Sequence, residues 1–308
     1  MLFDSHSHFN NEDITSREGP ALFNMVDEAV QAGKLSYAMD IGFNLESSIM
    51  AAEHAKNWEW CYAAVGCHPH DAKTMNDEKL EAIRELAKDE KVMAIGEIGL
   101  DFHYDLSERD VQREWFRKQI RLANELRMPI VIHARDADKE VMDILVEEGA
   151  FSDERKSWFP TRPDREDFVR GNASGKRKAL VGTKCDREDG DESNIAMIPD
   201  ARVLLHCFSG SAEIGKEYVK LGATISVAGP VTYKNNRKTV EMVSKIPIDF
   251  LLVETDSPYL TPVPHRGKRN NPTFVEHTAR RVAVIKGLSL EETARITCNN
   301  AKRFYGIK

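Results

Sequence analysis

Val92-Met93-Ala94-Ile95-Gly96-Glu97 is an apolar run that ends on a glycine and a carboxylate. A strand with one wet face alternates apolar and polar residues; this run does not. It reads as a strand buried on both sides, the kind found in parallel sheets covered by helices. The same figure recurs along the chain. Pro129-Ile130-Val131-Ile132-His133 and Arg202-Val203-Leu204-Leu205-His206 end on histidine, and Phe250-Leu251-Leu252-Val253-Glu254 ends on glutamate. Leu2-Phe3 leads into Asp4-Ser5-His6-Ser7-His8, and residues 36–42, 61–66 and 223–228 complete a set of eight.

Helical patterns fill the intervals. They cover about 21–33, 44–57 after a capping Asn44, 77–89, 108–126, 137–148 before Gly149, 212–221, 237–245, 273–286 and 290–304. Eight strand–helix units in alternation predict an α/β fold, a closed TIM (β/α)8 barrel. The alternative architecture is an open doubly wound sheet, but no GxGxxG follows the first strand. Residues 1–308 then read as a single barrel with a polar insertion at about 150–200, after the fifth strand–helix unit. That insertion reads as a flap, a small subdomain packed on the barrel, or a solvated loop. Without it about 255 residues remain, near the roughly 250 typical of such barrels.

Composition narrows the class. Of 308 residues, 41% are hydrophobic, enough for a large core, and no run is long enough to span a membrane. The net charge of -7 argues against a protein that coats nucleic acid non-specifically. Five scattered cysteines without a CxxC, and no secretory signal, fit reduced thiols in the cytoplasm.

Six residues of metal-ligand type fall at the predicted C-terminal ends of strands: His6 and His8, Glu97, His133, His206 and Asp256. In a barrel those ends converge on one face, where active sites sit. Two residues apart on a strand, His6 and His8 can aim both imidazoles at one ion. The six divide into His6, His8 and Asp256 for one divalent metal and His133 and His206 for a second. Glu97 bridges with its two oxygens. Two such ions form a clamp suited to phosphate-ester hydrolysis. Imidazole-rich ligation suits zinc, manganese, iron or cobalt; magnesium asks for more oxygen ligands.

Taken in order, Asp4–His8, Gly66-Cys67-His68-Pro69-His70, Gly96–Asp101, His133-Ala134-Arg135-Asp136, His206–Ser211, Glu254–Leu260 and Arg266–Asn270 resemble the TatD-type deoxyribonucleases, a branch of the metal-dependent hydrolases. The resemblance spans the chain apart from the insertion, where those motifs would be joined by a shorter link. It implies a TIM barrel and two divalent metals (Mg, Mn or Zn) held by the six residues. It also implies phosphodiester hydrolysis, often by 3'-5' exonucleolytic attack on DNA as the nucleic-acid substrate. Glu97 and Asp256 are the expected catalytic residues, Asp256 also taking or orienting the attacking water's proton. His68, Arg135 and Glu254 are candidate substrate contacts, Arg135 pairing with phosphate or with an acidic neighbour and Glu254 orienting a water or supporting a ligand. Asp101 reads as an orienting residue, His54 as packing, and His70, His103, His265 and His277 as surface or structural. Tyr233 or Tyr259 is a candidate base-stacking residue, and residues 234–238 and 265–270 candidate backbone grips.

Three other functions remain open on sequence. A cyclic amidohydrolase would often carry a modified lysine where Glu97 stands. A deacylase of aminoacyl-tRNA esters shares the ligand pattern. A non-catalytic nucleic-acid-binding protein would be expected to lack some of the six ligands. Replacing Glu97 or Asp256 by alanine should abolish hydrolysis; full activity in either variant, measured on a phosphodiester, would remove that residue from the reaction.

Overall fold

The computed structural model describes residues 1–11, 19–169 and 195–308. The eight apolar runs become β1 (Leu2–Ser7), β2 (Leu35–Ile41), β3 (Cys61–Val65), β4 (Val92–Asp101), β5 (Ile130–Arg135), β8 (Val203–Leu205), β9 (Thr224–Val227) and β10 (Leu251–Val253). Two short strands, β6 (Arg162–Asp164) and β7 (Ala196–Ile198), form a separate antiparallel pair. The eight lie in the order β1-β2-β3-β4-β5-β8-β9-β10, all parallel. The sheet's two ends then meet. His8 N donates to Ser257 O at 2.8 Å, Asp256 N donates to His6 O at 2.9 Å, and a parallel bridge joins Ser7 to Ser257. The result is a nearly closed TIM barrel.

Buried polar groups secure that seam. The Asp4 carboxylate accepts from Thr255 N (2.8 Å) and Thr255 Oγ1 (2.6 Å), and Ser5 Oγ donates to Val253 O (3.0 Å). Helices surround the barrel: α1 (Gly19–Gln31), α2 (Leu45–Asn57), α3 (Asp77–Leu86), α4 (Arg109–Leu126), α5 (Asp138–Glu147), α6 (Asp153–Ser157), α7 (Ala212–Leu221), α8 (Arg237–Lys245), α9 (Val275–Lys286) and α10 (Leu290–Tyr305). Asn44 caps α2 as expected, accepting from Ser47 N at 2.9 Å. No helix among the described residues is long and apolar enough to cross a membrane.

The unbroken apolar runs have a simple cause. Outward residues such as Ile95, Ile130, Ile132, Val203, Leu205, Ile225, Leu251 and Val253 pack under the helices. Inward residues Phe3, Met39, Ala64, Ala94, Val131, Leu204 and Leu252 fill the barrel. Side chains alternate along a strand, so the residue two beyond an inward one also points in. Two beyond Val131 is His133, two beyond Leu204 is His206, and two beyond Leu252 is Glu254. The interior therefore turns from apolar to ionisable toward the C-terminal ends of the strands.

β4 departs from the expected boundary. Glu97 was expected at the strand's end; β4 instead continues to Asp101, pairing Gly99 with His133 and Asp101 with Arg135. A register shift between Ile95 and Ile98 re-aims the chain at Glu97. Continuation needs Gly99, which sits at φ +151°, where a Cβ would lie 1.9 Å from His133 O. Local propensity could not reveal this, because the glycines that suggested an end are there for close backbone approach.

The expected insertion is described only in its flanks; residues 170–194 lie outside the described residues. Those flanks pack on the N-terminal ends of the strands. Arg155, fully buried on α6, donates to Ala201 O (2.9 Å), Asn124 Oδ1 (2.7 Å) and Met128 O (2.8 Å). Arg162, also fully buried, donates to Thr224 Oγ1 and Ala223 O at 2.8 Å and lies over the Phe250 ring. Arg165 pairs with Asp249. Of the readings open on sequence, packing against the barrel describes these flanks. It occurs on the face opposite the histidines. Arg155→Ala strands three acceptors and should cost about 3 kcal/mol or more. Urea unfolding should register that loss, while metal uptake by the folded fraction stays unchanged.

Candidate metal centre

Glu97 is buried at the centre of the C-terminal face, with each oxygen turned to a different group of imidazoles. Oε2 lies 3.4 Å from His6 Nε2 and 3.7 Å from His8 Nε2. Those two nitrogens are 3.3 Å apart. Asp256 Oδ1 lies 3.8 Å from His6 Nε2 and 3.5 Å from His8 Nε2. Four ligand atoms about 2.1 Å from a tetrahedral zinc would stand about 3.4 Å from one another. Five of the six edges, 3.3 to 3.8 Å, lie near that value. Among the described residues, His6, His8 and Glu97 bring one ligand atom each within reach of a single ion, and Asp256 forms a second such group with His6 and His206. Glu97 Oε1 faces the other way, 2.8 Å from His133 Nδ1, 2.7 Å from His206 Nε2 and 3.5 Å from His68 Nε2. The two shorter separations are hydrogen-bond distances. An ion taken up by Glu97, His133 and His206 would replace the protons that bridge them.

Electrostatics agree with that reading. Burial opposes charge on Glu97, but the charge on His206 and hydrogen bonds from His133 and His206 outweigh it and hold the carboxyl well below its ordinary range. Burial likewise opposes charge on His206, and the Glu97 and Glu254 carboxylates overcome it, raising His206 well above the ordinary histidine value. His133 is raised against burial by hydrogen bonds to Asp101 and Glu97. His6 is lowered, by burial and by the positive charge of His206, whose ring stacks on it at 3.8 Å. Protonated imidazoles thus balance the carboxylates where cations would.

Neighbouring groups aim the ligand atoms. His8 Nδ1 donates to Ile41 O at 2.7 Å, which leaves the Nε2 lone pair facing His6 and Asp256. Asp256 follows β10 at φ +54°, a bend that a side chain rarely adopts. Its nitrogen is tied to His6 O, so the barrel seam itself places the carboxylate.

Known proteins that resemble this chain identify its family. The profile of the family described as TatD related DNase matches residues 3–306. The chain belongs to the TatD family. It is 39% identical over 307 residues to the uncharacterized metal-dependent hydrolase YabD of Bacillus subtilis, with all of both chains covered. It is 30% identical over 288 residues to a protein of Cronobacter sakazakii named 3'-5' ssDNA/RNA exonuclease TatD, covering 91% of this chain and 90% of that one. The solved TatD homologue YjjV of Escherichia coli superposes with a TM-score of 0.76 at 23% identity, over 100% of this chain and 98% of that one. The protein is therefore a TatD-family metal-dependent hydrolase.

The remaining candidates take distinct places in this TatD centre. His68 is buried, its Nε2 facing Glu97. Its Nδ1 accepts from His70 N at 3.1 Å, so the neutral ring carries its proton on Nε2, toward the centre. Glu254 lies behind His206, fully buried. Its Oε1 accepts from Cys207 N at 2.7 Å, its Oε2 accepts from Ser226 Oγ, and Oε1 lies 3.4 Å from His206 Nδ1. Both its oxygens are thus taken by protein donors, behind the candidate ligand His206. Arg135 is exposed at the mouth. Tyr233 is covered by the Arg266 guanidinium at 4.0 Å, whereas Tyr259 stands half-exposed beside His8.

Several residues do more than the sequence suggested. His70, read as surface or structural, donates from Nε2 to Asp101 Oδ2 at 2.7 Å, and the same oxygen lies 3.2 Å from His133 Nε2. His54, read as packing, bonds the buried Asp40 at 2.7 Å. The spacing of His68 and His70 was a usable signal for the first; nothing local pairs residues 40 and 54. His265 and His277 meet each other at 3.1 Å, away from the centre. Ligand that binds only the folded state stabilises it by mass action, about 4 kcal/mol at a thousandfold excess over Kd. After chelation, zinc or manganese should raise the melting temperature of the native protein, and His6→Ala should lose much of that rise while still folding.

Proposed function

We propose that this TatD protein hydrolyses phosphodiester bonds of nucleic acid with two divalent ions, acting on DNA from the 3' end. His6, His8 and Asp256 would hold one ion and His133 and His206 the second, with the Glu97 carboxylate between the two groups. The observation that carries the reading is the division of Glu97 between two imidazole groups. The Cronobacter relative's name, a single-strand exonuclease, supports the choice of substrate. When bound, magnesium, manganese or zinc would polarise the phosphate and acidify the attacking water.

The chain's own residues then divide the work. Asp256 is the most exposed carboxylate of the centre, 13% at its side chain against 3% for Glu97, so it faces the mouth and takes or orients the proton of the attacking water. His68 donates its Nε2 proton to a phosphate oxygen. Burial and the charge of His133 hold it well below the ordinary histidine value, so it donates as a neutral group. Exposed Lys234, Arg237, Lys238, Arg266 and Lys268 follow β9 and β10 and grip the backbone at the rim. The four described cysteines are free, which fits a reducing cytoplasm.

The test is a time course on 5'-labelled single-stranded DNA with manganese or magnesium and a chelated control. A metal-dependent ladder that shortens from the 3' end is the expected result. No cleavage by protein holding two metals per chain would reject the nuclease reading and turn the search to esters such as aminoacyl-tRNA.

A further inference from the structure

One aromatic surface at the mouth takes no part in the metal centre. Tyr104 is 53% exposed, three residues past the end of β4. The Arg135 guanidinium lies over its ring, 4.6 Å from the centroid. His70 and His103 meet the ring edge to face, at 5.5 and 4.9 Å. An exposed tyrosine by itself needs no explanation. This one is fixed in register with a candidate ligand. Asp101 Oδ1 accepts from His103 N (3.0 Å) and Tyr104 N (2.8 Å), while Oδ2 binds His70 and lies 3.2 Å from His133 Nε2. A single buried carboxylate sets both the ring and the imidazole. Arg135 stands two residues beyond His133 on β5, exposed, and makes no ion pair among the described residues.

The position across the mouth matters too. Tyr259, also 53% exposed, lies beside His8, 6.3 Å between ring centroids. Tyr104 belongs to the β4–β5 side and Tyr259 to the β10–β1 side, four strands apart on an eight-stranded ring. The histidines and Glu97 lie between the two rings. A flat π-face next to a cation without a carboxylate partner suits a nucleobase together with its phosphate.

We propose that Tyr104 and Arg135 form a nucleotide subsite, Tyr104 stacking a base next to the scissile phosphate and Arg135 pairing with the neighbouring phosphate. This rests on the nucleic-acid reading above. It adds Tyr104 to the substrate contacts and gives the candidate contact Arg135 a defined partner, the phosphate next to the stacked base.

The experiment compares the native metal-loaded protein with Tyr104→Ala, Tyr104→Trp and Arg135→Gln. Each is assayed for binding and hydrolysis of a 5'-labelled oligothymidylate and of the same strand made abasic near its 3' end. Tyr104→Ala should raise KM on the normal strand about tenfold, with a smaller change in kcat, and Tyr104→Trp should restore it. The gap between Tyr104→Ala and the native protein should close on the abasic strand. Arg135→Gln should weaken binding to both strands and flatten its salt dependence. Native protein that cleaves DNA while Tyr104→Ala matches it, or loses equally on both strands, would overturn the subsite and leave the nuclease reading standing. Native protein that neither binds nor cleaves either strand would overturn both.

Discussion

A carboxylate cannot stay charged inside a protein without compensation, and Glu97 is charged and buried. Its two oxygens divide the surrounding imidazoles into two groups, and much of the C-terminal face serves to hold those imidazoles still. His8 is tied to Ile41 O, His133 to Asp101, and His206 backs onto Glu254. Asp256 depends on the seam between the first and last strands. Removing Glu97 would leave several imidazoles crowded around one point with less negative charge to balance them. The arrangement is costly as a piece of core and reasonable as a place for cations.

The two ends of the barrel are specialised differently. At the C-terminal ends the interior is ionisable and open to a mouth. At the N-terminal ends it is sealed by fully buried Arg155 and Arg162, which answer backbone carbonyls rather than substrate. A chain segment inserted after a barrel helix emerges on this sealed end, because each helix returns the chain to the start of the next strand. The described flanks of the insertion obey that geometry. Their distance from the catalytic face means that sequence changes there bear on stability before chemistry.

Much of this could be read from residues alone. The apolar runs located the eight barrel strands within a few residues, since a barrel buries both faces of each strand and needs no alternation. The six candidate ligands were legible because polar residues that end apolar strands have one common destination. Other features needed the fold. β4 runs past Gly96 because Gly99 admits the His133 carbonyl, an approach between strands that no single stretch records. Glu254 points into the barrel like a substrate contact but is consumed by Cys207 and Ser226. His70 and Tyr104 matter through Asp101, and His54 through Asp40, pairings set by neighbouring strands and helices. Tyr104 had a local clue, an aromatic three residues after a strand-end aspartate, but only its partner Arg135 gives that clue meaning.

The β6–β7 ladder sets Asp164 beside Ala196 on the side of the molecule turned away from the mouth. Two strand ends held side by side form an anchored doorway. Length added between two points so joined costs little entropy, since closure entropy grows only with the logarithm of length. A fluorescent reporter or a tethering domain spliced in at that doorway would ride on the back of the barrel. The protein could then be imaged or immobilised with its mouth left free.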